Sequence, residues 1–129
     1  MTKLVRALVL SLLVLGLLLT VRAAEKNTWS GTLVDAYCYL QDNSNVGNEH
    51  SGMKGCGTEC LKNGRPAGLL TDDKKFFTIV APSPALAKYV GLPIRVSGEL
   101  YGSAIVADKV EIKQAGKWVA VDINIKGMM

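Results

Sequence analysis

The sequence predicts a mainly β domain, a small OB-like barrel of five to six strands with one short helix. Three observations predict it. Short runs of β-branched and aromatic residues alternate with turn clusters along most of the chain. One proline break, Pro82-Ser83-Pro84, leaves room for a helix of about two turns. The resulting order is strand, long loop, two strands, helix, two strands and a C-terminal strand, which is the order of an OB-type barrel with its helix between the third and fourth strands. Periodicity alone leaves a small sandwich open.

The elements follow in turn. Thr28 to Asp35 places Trp29 and Leu33 among β-branched and small residues and reads as a first strand, with Gly31 suited to a bend. Ala67 to Leu70 and Lys75 to Val80 flank the turn cluster Thr71-Asp72-Asp73-Lys74 and form a hairpin. Leu86, Ala87 and Val90 share a helical face that Gly91 ends. From Pro93 to Leu100, Ile94, Val96 and Gly98 alternate with Arg95, Ser97 and Glu99, the period of a half-buried strand. Beyond the Tyr101-Gly102-Ser103 turn, Ala104 to Lys113 continues in strand, and Lys117 to Ile125 supplies the last one.

Residues 1–23 read as a secretory signal peptide. Lys3 and Arg6 precede an apolar stretch of 15 residues, Ala7 to Val21, and Val21 and Ala23 are small residues at the −3 and −1 positions of a cleavage site. The stretch is shorter than the roughly 20 residues needed to span a bilayer, so no stable membrane insertion is expected after cleavage. The formal charge of +4 belongs mostly to this leader. Without Lys3, Arg6 and Arg22, 12 cations face 11 anions. A net charge of +1 and 6% aromatic residues argue against a nucleic-acid partner. Residues 24–129 then form a single domain, periplasmic or extracellular, with room for one core.

The chemistry is concentrated in the loop at about 36–66. It holds Cys38, His50, Cys56 and Cys60, all the cysteines and the only histidine of the chain, with 11, five and three residues between them. A loop of this length needs a function or a staple. Three thiolates and an imidazole make a tetrahedral donor set for a zinc ion, and thiolates also favour copper as Cu(I). In an oxidising compartment the alternative is a disulfide with one cysteine left over. By chain entropy, Cys38–Cys60 is the more stabilising pairing, at roughly 3 kcal/mol against roughly 2 for Cys56–Cys60. Such a disulfide-stapled module would bind an unknown protein or small-molecule partner through the barrel face. A third reading, a thiol redox protein, requires a lowered pKa at Cys56 or Cys60. Met53 reads as packing, although a thioether ligand would favour Cu(I). Asp35 is placed to cap or brace the loop, or to steady His50. Catalysis is not indicated, because no triad, acid/base pair or phosphate loop is recognisable.

Gly31-Thr32-Leu33-Val34-Asp35 leading to Cys38, then His50, Cys56 and Cys60, Lys62 to Leu70, and Gly91 to Gly98 together resemble a group of small exported bacterial proteins of unknown function. Their shared pattern is Gly-x-x-x-Asp-x-x-Cys, a His, Cys-x-x-x-Cys, a glycine-containing turn and Gly-x-x-Val-x-Val-x-Gly. The resemblance covers about residues 30 to 112 and implies an OB-like barrel without an established activity. Tyr39, where glycine often follows the first cysteine, and the longer interval to His50 depart from it. The ligand types, though not the strand order, are also similar to those of exported copper chaperones of thioredoxin-like fold.

Overall fold

A computed structural model describes residues 26–124. The expected leader, residues 1–23, and Ile125 lie outside the described residues. β1 (Asn27–Asp35) is shared between two neighbours. Its first half runs antiparallel to β4 (Pro93–Tyr101), from Asn27 opposite Gly98 to Thr32 opposite Pro93. Its second half runs antiparallel to β2 (Ala67–Leu70), from Thr32 opposite Leu70 to Asp35 opposite Ala67. Gly31 sits at the changeover, where a β-carbon would overlap the Leu70 carbonyl, so this close backbone approach excludes any side chain.

The hairpin continues from β2 into β3 (Phe76–Val80), and β4 pairs antiparallel with β5 (Ala104–Gln114). Closure comes from a parallel pairing of β3 with the start of β5, Thr78 opposite Ala104 through Val80 opposite Val106. The ring β1-β2-β3-β5-β4 is the predicted OB-like barrel, and β6 (Lys117–Val121) extends the far half of β5. The last strand ends at Val121, and the described residues beyond it, 122–124, are not in strand although the hydrophobic pattern continues. There the Asp122 side chain accepts the Asn124 N–H at 2.9 Å, a local turn that competes with the ladder.

Alternating residues fill the barrel. Leu33, Leu69, Ile94, Val96, Ile105 and Val110 are fully buried, each removing roughly 2 kcal/mol worth of apolar surface from water. The predicted helix is α3 (Ser83–Leu86), which runs into a 3-10 turn at Ala87–Tyr89; Leu86 and Ala87 enter the core.

Two further short helices lie where the sequence suggested only a loop. α1 (Ala36–Gln41) follows β1 directly, and α2 (Cys56–Lys62) precedes β2. Leu61 of α2 is fully buried in the barrel core, and Tyr39 of α1 stacks on Phe76 at 5.4 Å between ring centres. The Thr58 hydroxyl donates to the Ala87 carbonyl at 3.0 Å, tying α2 to the 3-10 turn that follows α3. Hydrophobic anchors and hydrogen bonds therefore shape this segment.

Candidate metal centre

Asp35, the last residue of β1, is fully buried and caps α1: its Oδ1 accepts the N–H groups of Tyr37 at 3.0 Å and Cys38 at 3.4 Å. The cap fixes Cys38 in the first helical turn. The Asn45 side chain then donates to the Cys38 carbonyl at 3.2 Å, folding the following loop back over α1.

Cys56 and Cys60 stand one helical turn apart on α2 and so share a face. Gly55, the residue before the helix, has no side chain with which to cap it. Asn48 supplies the cap from another part of the loop. Its Oδ1 accepts the Thr58 N–H at 2.8 Å and its carbonyl accepts the Gly57 N–H at 3.2 Å. Gly57 makes this approach possible: a β-carbon there would lie 2.7 Å from Val90 Cγ1, 3.2 Å from Asn48 Oδ1 and 3.5 Å from His50 Cε1.

His50 is thereby carried into the interior, where it is 4% exposed. Its Nε2 lies 2.8 Å from the Gly47 carbonyl, which can only accept, so the neutral ring carries its proton on Nε2. Nδ1, with its lone pair, is buried without a partner. The second buried side-chain atom without a partner among the described residues is Asp35 Oδ2. Buried polar atoms are normally satisfied, and both of these belong to the same cluster.

Donor atoms of Cys38, His50 and Cys56 lie within 4.8 Å of one another, and so do those of Asp35, Cys38 and Cys60. Sulfurs bound to one tetrahedral zinc ion sit about 3.8 Å apart, so each set is close to a coordination sphere. The four predicted residues all reach the cluster. They divide, however, into two overlapping sets joined at Cys38, with Cys60 gathered beside Asp35 and away from His50.

The thiols feel this setting. Burial, reinforced by the nearby Asp35 carboxylate, pushes the Cys38 thiol well above its ordinary range and the Cys60 thiol up to about 11. Both are therefore protonated at neutral pH until a cation replaces their protons. For Cys60 this is opposite to the depressed value that a redox thiol needs.

All three cysteines are free, with no two sulfurs at bonding distance. For Cys56 and Cys60 the reason is geometric. One helical turn holds β-carbons about 5–6 Å apart, whereas a disulfide requires roughly 3.5–4.5 Å. Cys38 meets both helix sulfurs and forms a bond with neither.

Met53 is also corrected: at 63% exposure it is not packed. It lines an open depression of about 340 Å³ together with Cys56, Glu59, Cys60, Asn63 and Arg65. Glu49 is exposed and outside the cluster. The predicted capping role of Asp35 is observed, but its free oxygen belongs with Cys38 and Cys60 and not with His50. Asn48 and Gly57 had no signal in the sequence, since each acts across the loop and not on its own neighbours.

The fold and site together define a mainly β, OB-like barrel carrying a preformed Cys/His/Asp cluster that could hold a metal ion. No protein-family model, no curated protein and no solved structure matches the chain. Among the described residues no helix is long and apolar enough to cross a membrane.

Proposed function

We propose that this chain is a small exported metal-binding protein that holds a transition metal ion, zinc or copper, with Cys38, His50 and Cys56, and with Cys60 beside them. Asp35 supplies a carboxylate to the neighbouring set. The carrying observation is His50: its Nε2 is engaged by the Gly47 carbonyl, its Nδ1 is buried and unpartnered, and the ring offers a nitrogen within 4.8 Å of the sulfurs of Cys38 and Cys56. A histidine whose other nitrogen donates to a backbone carbonyl is the usual arrangement of a metal ligand. The unpaired Asp35 Oδ2 adds a second buried acceptor that a cation would compensate. Export to the periplasm or beyond rests on the leader, and kinship with small exported bacterial proteins rests on the motif spacing.

The test is metal analysis of the protein purified without added metal, followed by titration with Zn(II) and Cu(I). Stoichiometric metal in the wild type, lost in C38S and strongly weakened in H50A, is expected. Wild-type protein that binds neither ion at micromolar concentration overturns the proposal.

A further inference from the structure

His50 and Met53 are the two ends of one tight turn. The His50 N–H donates to the Met53 carbonyl at 3.2 Å and the Met53 N–H returns to the His50 carbonyl at 2.8 Å. The two residues between them, Ser51 and Gly52, have φ of 50° and 78°, as a type I′ turn demands. This four-residue clamp places an imidazole inside the protein and a thioether outside it. The outer side chain is not idle surface, because it lines the same depression as Cys56 and Cys60. The inner one belongs to the donor set of Cys38 and Cys56 and has a buried, unpartnered Nδ1.

The depression is also lined by Arg65, whose guanidinium rests 3.7 Å from the centre of the Tyr37 ring. A fixed positive charge lining the depression opposes a doubly charged ion about twice as strongly as a singly charged one. Glu59, another lining residue, is already paired with Lys62 at 2.8 Å. Thioether sulfur is a ligand for Cu(I) and is not among the donors that zinc takes in proteins.

We infer that the physiological cargo is Cu(I), and that Met53 is the receiving ligand at the mouth of the site, passing the ion to Cys56 and onward to Cys38 and His50. This deepens the metal-binding reading and rests on it. No electron is transferred: the ion leaves one set of soft ligands for another, and each thiol that binds it releases its proton to solvent.

The experiment compares wild type with M53L, which keeps the side-chain volume and removes the sulfur. Cu(I) is presented as its bathocuproine disulfonate complex, Zn(II) is presented with a chromophoric chelator, and the rate and extent of transfer are followed optically. Transfer of Cu(I) slowed by about tenfold in M53L, with Zn(II) binding equal in the two proteins, is the expected result. Equal Cu(I) transfer by both proteins, or an equal loss of Zn(II) and Cu(I) binding in M53L, overturns the role of Met53 and leaves metal binding standing. Wild type that binds neither ion overturns both. Met53 is exposed, so the variant is expected to fold, and matching circular dichroism spectra confirm it.

Discussion

Asn48 caps helix α2 from ten residues upstream, its Oδ1 accepting the Thr58 N–H at 2.8 Å. The same residue lies two positions before His50, so this bond ties the chain leading into the imidazole to the start of the helix that carries Cys56 and Cys60. The two halves of the donor cluster are thus coupled by a hydrogen bond that involves neither a sulfur nor a ligand nitrogen.

Replacing Asn48 separates these roles from general folding. N48A should cost about 1 kcal/mol of stability, the usual worth of a helix cap, and should weaken metal binding as well. N48D keeps an acceptor at the same place and should recover most of the stability. Urea denaturation and metal competition on the three proteins check the prediction.

Gly57 should tolerate no side chain. G57A gains helix propensity of somewhat under 1 kcal/mol, but its β-carbon meets the stiff Val90 and presses on Asn48, and overpacking of this kind costs roughly 1–3 kcal/mol. A net loss of stability of about 1 kcal/mol is expected, with weaker metal binding because His50 lies behind the same contact. Thermal melts with and without metal measure both.

Asp35 combines a cap with a charge, and two variants divide them. D35N retains the acceptor for the Tyr37 and Cys38 N–H groups and removes the negative charge, so the Cys38 and Cys60 thiols should titrate at lower pH and alkylate faster. D35A loses the cap too, and should be destabilised by about 1 kcal/mol. Ultraviolet thiolate absorbance against pH, with denaturation curves, distinguishes them.

The metal-free protein should lose stability in alkali. The Cys60 thiol rises from its ordinary 9.0 to about 11 in the folded chain, so the native state holds a proton that the unfolded state releases. That contribution is complete below about pH 9 and disappears as pH rises through about 11. C60S should flatten the slope. Bound metal should reverse the dependence, since the ion needs thiolates and acid competes for them. Urea midpoints across the range, with and without metal, provide the check.

Much of the barrel was legible in the sequence because its elements obey local rules. Ile94 and Val96 alternate with polar neighbours, Pro82 and Pro84 mark the helix start, and the turn residues between Leu70 and Lys75 lie where the chain reverses. The site was legible only as an inventory. Cys38, His50, Cys56 and Cys60 were recognisable by type and by confinement to one loop, and Asp35 by its place before Cys38, but short helices set by distant caps leave no periodicity.

The amino-acid sequence by itself determined the strand order, the alternating core and the types of donor side chain in the loop, because each follows from side-chain identity and periods of a few residues. Only the tertiary structure decided that the loop is held by Asp35, Asn48, Tyr39 and Leu61 without any bond between sulfurs. It also decided that Cys38 joins two overlapping sets of donors, and that His50 is buried while Met53 is exposed. Those outcomes depend on contacts between residues far apart along the chain, where the direction of a hydrogen bond and the space left by a missing β-carbon, and not local preference, settle which atoms meet.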